Sequence, residues 1–201
     1  DRNKARGVLG IPKDAQVVVY HGRIEMYRKG LDVLMDAWEQ ICRDRPQLDL
    51  RLLLVGTGSD AAKLRSRIAT MPLENILWVD EYVRDRTAIR RYLSAADVYT
   101  LPSRHEGFPV APIEAMTCGL PVVAADAPGV PDILEGGEAS GGLVVSRDDA
   151  NALAAAISRI LDRPVWCREL GKRARYRAEN CFSLEAIGKQ LYNFLLSENY
   201  E

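Results

Sequence analysis

Short runs of consecutive apolar residues recur along the chain, and helix-spaced segments separate them. Val17-Val18-Val19-Tyr20, Leu50 to Val55, Ile76 to Val79, Val98 to Leu101, Pro121 to Ala124 and Gly142 to Val145 read as strands. They are near-continuously apolar, so both faces of the sheet they form must be covered. Between them, Leu31 to Ile41 sets Leu31, Leu34, Met35, Trp38 and Ile41 at helical spacing, with Pro46 beyond, where helices commonly stop. Ala61 to Ala69, Ala88 to Ala95 and Pro112 to Cys118 also read as helices. Strands alternating with helices mean a parallel α/β sheet, and right-handed crossovers leave few ways to wind it. The expectation is a doubly wound, Rossmann-like sheet of six strands in the order 3-2-1-4-5-6.

After Val145 the alternation stops. Asn151 to Leu161, Val165 to Glu179 and Ser183 to Leu196 are three helical patterns in succession. Ala152, Ala155, Ala156 and Ile157 suit close packing of the first against the sheet. Ser183 reads as the N-cap of the last, ahead of Ala186, Ile187 and Leu191. With no repeat and no low-complexity linker, residues 1–201 read as one domain with a helical C-terminal extension.

Composition narrows the partners. Lys plus Arg total 27 and Asp plus Glu 28, a formal net charge of -1, which gives no electrostatic reason to expect nucleic acid. No apolar run approaches the ~20 residues of a membrane-spanning helix. Cys42, Cys118, Cys167 and Cys181 are scattered and form no CxxC, which argues against a zinc site or disulfide framework and for a reducing cytoplasm. The chain opens at Asp1 with neither an initiator Met nor a signal-type stretch, and is expected to be a piece of something longer.

In a doubly wound sheet, ligands bind outside the carboxyl ends of the strands near the point where strand order reverses, which selects the loops after strands one and four. The first runs from His21-Gly22-Arg23 to Arg28-Lys29-Gly30, three cations in seven residues at the mouth of a helix. Helix N-termini already favour anions. One cation roughly 4 Å from a phosphate charge gains about 4 kcal/mol at an effective dielectric near 20, before desolvation. The second loop, Pro102 to Ala115, carries Glu106 and Glu114 eight positions apart, with Pro109 and Pro112 forbidding one continuous helix between them. Glu106 therefore belongs to the loop and Glu114 to the opening of the helix. Carboxylates there suit sugar hydroxyls, and the amides of Gly107, Phe108, Val110 and Ala111 suit an oxyanion. Each loop singly reads as a solvated basic stretch or a pair of surface acids; their juxtaposition is what points to a ligand. Gly56-Thr57-Gly58-Ser59-Asp60 reads as a tight turn with an Asp or Ser cap rather than a ligand contact, and it lacks GxGxxG. The run Arg168 to Arg177 reads as the solvated face of a helix. His21 and His105 lack acidic partners at metal-ligand spacing, so no metal site is expected.

Gly22-Arg23 through Lys29-Gly30, Ser103-Arg104-His105-Glu106-Gly107-Phe108 through Glu114-Ala115, Gly119-Leu120-Pro121-Val122-Val123 and Gly129-Val130-Pro131 together resemble the C-terminal domain of retaining GT-B glycosyltransferases. The resemblance is to glycosyltransferase group 1 (family 4), with its E-x7-E motif, and extends from about Val17 to the closing helices. It implies that Arg23 and Lys29 grip the donor diphosphate and neutralise the leaving group. It implies that Glu106 contacts the transferred sugar near the reacting centre and that Glu114 holds the ribose hydroxyls. Gly22 and the backbone of Gly107, Phe108, Val110 and Ala111 would meet sugar and phosphates, and Tyr82 and Val83 would frame the base. Glu81 stands where the family usually has Gly.

The implied reaction is metal-independent transfer of a sugar from a nucleotide-sugar to a hydroxyl acceptor, in polysaccharide or glycolipid synthesis, with no cofactor beyond the donor substrate. The acceptor belongs to a separate N-terminal domain for which this chain has no room, so the piece is expected to bind donor without turnover. Peripheral membrane contact, where the family has it, would come through that other domain. Rival readings are a non-catalytic nucleotide-sugar-binding module, a sugar-nucleotide epimerase, and a phosphorylase with lysine-bound pyridoxal phosphate. A dinucleotide oxidoreductase is opposed by the missing GxGxxG.

Overall fold

The computed structural model describes residues 1–197. The elements run α1 (Arg2–Leu9), β1 (Gln16–His21), α2 (Leu31–Asp44), β2 (Leu50–Val55), α3 (Ala61–Thr70), β3 (Ile76–Val79), α4 (Arg86–Ala95), β4 (Val98–Leu101), α5 (Val110–Thr117), β5 (Val122–Ala125), α6 (Val130–Ile133), a 3-10 turn at Gly137–Ser140, β6 (Gly142–Val145), α7 (Ala150–Leu161), α8 (Pro164–Cys181) and α9 (Leu184–Ser197). The strands form one six-stranded sheet in the order β3-β2-β1-β4-β5-β6. Every pairing is parallel, with Val18 beside both Leu52 and Val98 at the centre.

Two apolar cores lie on the two faces, as the pleat demands. Val17 and Val19 of β1 join Leu53, Ile89, Leu93, Met116 and Ile133 on one face, under α4, α5 and α6. Val18 and Tyr20 join Leu52, Leu54, Leu64, Leu153 and Ile157 on the other, under α2, α3 and α7. Trp38 of α2 is fully buried there and donates its indole N–H to Asn75 at 3.2 Å, so its one polar group stays satisfied.

Several local readings shift. Helix α1 has no counterpart in the apolar pattern: it buries only Ala5 and Arg6. The Arg6 guanidinium donates to the Ala95 carbonyl at 2.9 Å and to Asp97 at 2.7 Å. On α7 the buried positions are Leu153, Ala154, Ile157, Ser158, Ile160 and Leu161, whereas Ala155 faces outward. Arg177 of α8 is not merely solvated: it donates to the carbonyls of Ile133 and Asp132 and tethers α8 to α6. Ser183 does cap α9, accepting from the Ala186 amide at 3.1 Å. No helix among the described residues is long and apolar enough to cross a membrane.

Candidate active site

The carboxyl ends of β1 to β4 open into one cavity of about 600 Å³, within the range of small-molecule sites. Its lining comes from His21 at the end of β1 with Gly22 and Arg23 after it, Gly56 and Thr57 after β2, Glu81, Tyr82 and Val83 after β3, and Glu106, Phe108, Pro109, Val110 and Ala111 after β4; Gly107, expected at the ligand, is not among the lining residues. Gly56 and Thr57 were expected to be turn residues alone. The rule that ligands sit at strand carboxyl ends applies to β2 as well as to β1 and β4, and was the signal for them. Asp60 does not cap α3 with its side chain; its carboxylate accepts the Met26 amide at 2.9 Å and ties the α3 start to the basic loop.

The two principal loops touch backbone to backbone. Gly30 adopts φ 64, and a Cβ there would stand 1.9 Å from the Pro102 carbonyl oxygen. Gly129 does the same for the β5 loop: at φ 79, its Cβ would stand 2.1 Å from the Gly107 carbonyl oxygen. Arg104, a residue to which the sequence assigned no separate role, then clamps the assembly. It is 7% exposed, forks onto Asp32 of α2 through two bonds of 2.8 Å, and also pairs with Asp148 beyond β6 and the Tyr27 carbonyl. Its guanidinium lies 4.3 Å from the Tyr27 ring centroid.

On this frame the charged groups converge. Lys29 Nζ donates to both carboxylate oxygens of Glu106, at 2.7 and 2.9 Å. The side chains are 16% and 9% exposed, so the pair is shielded and strong rather than a loose surface contact. The basic loop and the acidic loop, 77 positions apart, thus present one neutralised pair at the rim. Arg23 lines the cavity with its side chain largely in solvent, its carbonyl fixed by the Tyr20 hydroxyl at 2.7 Å.

Glu114 is the fifth residue of α5, which begins at Val110 rather than Pro112; it sits in the body of the helix, not in its opening turn. Its Oε2 lies 3.7 Å from His21 Nδ1. Burial raises the Glu114 carboxyl above its ordinary value, with Arg86 opposing, and burial lowers His21. His21 Nδ1 is buried without a hydrogen-bond partner. A depressed histidine stabilises the fold only while neutral, so this contribution is complete above the ordinary value of 6.5 and is lost as pH falls from there through the folded value. Thermal melts of His21→Asn should therefore show a shallower stability loss on acidification below about 6.5 than the parent chain.

The cavity also meets the start of α5, whose first amides, at Val110 and Ala111, have no intrahelical acceptor. Pro109 at the N-cap supplies no side-chain acceptor, so these donors face the cavity unclaimed by a cap. Phe108 lines the cavity and stays half exposed, its ring packing against Phe182 at 5.9 Å between centroids. Tyr82 is exposed and Val83 packs on the core, both at the β3 end. Among the described residues no group of three His, Cys, Asp or Glu side chains is placed to hold a metal ion, and the four cysteines are free.

Comparison with known proteins gives a consistent set. Residues 15–163 match the family described as Glycosyl transferases group 1. A GDP-mannose-dependent monoacylated alpha-(1-6)-phosphatidylinositol monomannoside mannosyltransferase of Corynebacterium glutamicum is 31% identical over 98% of this chain and 51% of its own length. The sucrose-phosphate synthase of Thermosynechococcus elongatus superposes with a TM-score of 0.82 at 36% identity, over 98% of this chain and 49% of that one. HepE of Anabaena in complex with UDP-glucose superposes with a TM-score of 0.80 at 25% identity, over 97% of this chain and 52% of that one. The chain thus spans about half the length of each of these three proteins.

Proposed function

Because this chain belongs to the group 1 glycosyl transferases, and so to a glycosyltransferase family of GT-B fold, we propose that its cavity binds the nucleotide-sugar donor of a retaining, metal-independent transfer to a hydroxyl acceptor. The observation that carries this reading is that Glu106, which holds Lys29 through both carboxylate oxygens, lines the same cavity as Arg23 and the first residues of α5. Arg23 and Lys29 bind the diphosphate. As the glycosidic bond to it breaks, negative charge grows on the leaving oxygens, and preset cations and amides stabilise that charge without reorganising. Glu106 sets the position of Lys29 and faces the transferred sugar, and Glu114 accepts from the ribose hydroxyls. The acceptor is a growing polysaccharide or glycolipid, presented by the part of such enzymes that lies outside these 201 residues.

Two measurements test it. Calorimetry should find that the chain binds a nucleoside diphosphate, while incubation with nucleotide-sugar and acceptor yields no efficient transfer by these residues alone; efficient transfer would refute the division into halves. Glu114→Gln should weaken diphosphate binding about tenfold, through loss of a charged acceptor, yet leave the melting temperature equal or higher, because burial disfavours the ionised form. Undiminished affinity in that variant would remove Glu114 from the ribose site.

A further inference from the structure

We propose that Glu81 selects guanine, making the donor a GDP-sugar; this rests on the donor-site reading above. The cavity is polar in a definite sense. Arg23 stands at the carboxyl end of the central strand β1, while Glu81, Tyr82 and Val83 follow the edge strand β3, with Ile89 of α4 adding apolar lining. A nucleotide has the same polarity, anionic at one end and planar, apolar-faced at the other. Its base therefore lies against Tyr82, Val83 and Ile89.

What distinguishes that end is an exposed acid that lines the cavity without a partner of its own among the described residues. The neighbouring acids are all engaged: Asp80 pairs with Arg65, Asp85 caps α4 through the Thr87 amide at 2.8 Å, and Glu106 is held by Lys29. Arg84 lies over the Tyr82 ring at 5.4 Å. Among the described residues no cation or N–H engages the Glu81 carboxylate, while its own amide is fixed to the Val79 carbonyl at 3.0 Å in the turn that ends β3. An anchored backbone thus presents a free carboxylate to the base end of the cavity.

A carboxylate only accepts, through two oxygens side by side. Guanine alone among the common bases offers two adjacent donors, N1–H and the N2 amino group, and so makes a two-bond, charge-assisted pair. Uracil offers one N–H flanked by two carbonyls that repel the carboxylate. Adenine and cytosine each offer an amino group beside a ring-nitrogen acceptor.

The test is a calorimetric titration of the 201-residue chain with GDP, UDP and ADP, repeated on Glu81→Gln. GDP should bind at least about tenfold more tightly than the others, and the variant, which turns one acceptor into a donor, should bring GDP to their level while leaving UDP unchanged. UDP or ADP binding as tightly as GDP, or a preference for GDP that survives Glu81→Gln, would overturn the base assignment and leave the donor pocket standing. Binding of none of the three would overturn both. The parent ranking alone tests the choice of guanine, and Glu81→Asp, which keeps the carboxylate but shortens its reach, is the second variant: it should retain more of the GDP preference than Glu81→Gln does.

Discussion

Replacing Arg23 and Lys29 together by alanine should weaken nucleoside diphosphate binding by about a hundredfold or more and flatten its dependence on salt. The two cations contribute unequally. Arg23 is exposed, and water and salt screen it. Lys29 is shielded and neutralises Glu106, so its removal takes away an attraction and also uncovers a carboxylate that repels phosphate. Lys29→Ala alone should therefore cost more affinity than Arg23→Ala alone, and Glu106→Gln added to Lys29→Ala should recover part of the loss. Calorimetry at two salt concentrations reads all four variants. Unchanged affinity in the double variant would remove the diphosphate from this rim.

Gly30→Ala should lower stability by about 2–4 kcal/mol, or roughly 5–15 °C in melting temperature for a chain of this size. Two causes add. Residue 30 sits at φ 64, where a side chain is strained, and its Cβ would overlap the Pro102 carbonyl oxygen at 1.9 Å, so the two loops must part. Since Lys29 and Glu106 reach across that seam, diphosphate affinity should fall as well. Gly7→Ala is the control of opposite sign: Gly7 lies inside α1 with nothing within 4 Å of a new Cβ, and the exchange should stabilise by about 0.5–1 kcal/mol. A melting temperature for Gly30→Ala within the error of the parent would mean that the loops are not seated on one another.

The strands, their order and the Ser183 cap were legible because each is written in contiguous residues: an apolar run, a crossover length, a hydroxyl three positions before an amide. Glu106, Arg23 and Lys29 could be nominated for the same reason, as loop residues at strand carboxyl ends. That Lys29 would meet Glu106 could not be read, since pairing across 77 positions depends on how two loops seat, and no local pattern encodes it. Helix α1 escaped because its anchor is a buried arginine, Arg6, which looks polar to any test of apolar periodicity. Ala155 was expected on the packed face because alanines fit either side of a helix, and only the sheet decides which side is inside. Arg104 looked like any loop arginine until its carboxylate partners, Asp32 and Asp148, came from α2 and from the stretch after β6.

That arginine also sets how the rim responds to alkali. A guanidinium keeps its proton to beyond pH ~12, and the bonds to Asp32 push Arg104 higher still against the pull of burial. A fastening built on an amine would slacken once the solution passed about 10. The segments gathered around Tyr27, Asp32 and Asp148 therefore keep their charged Arg104 tie throughout the basic range, and loss of that proton is not what would loosen the rim in alkali.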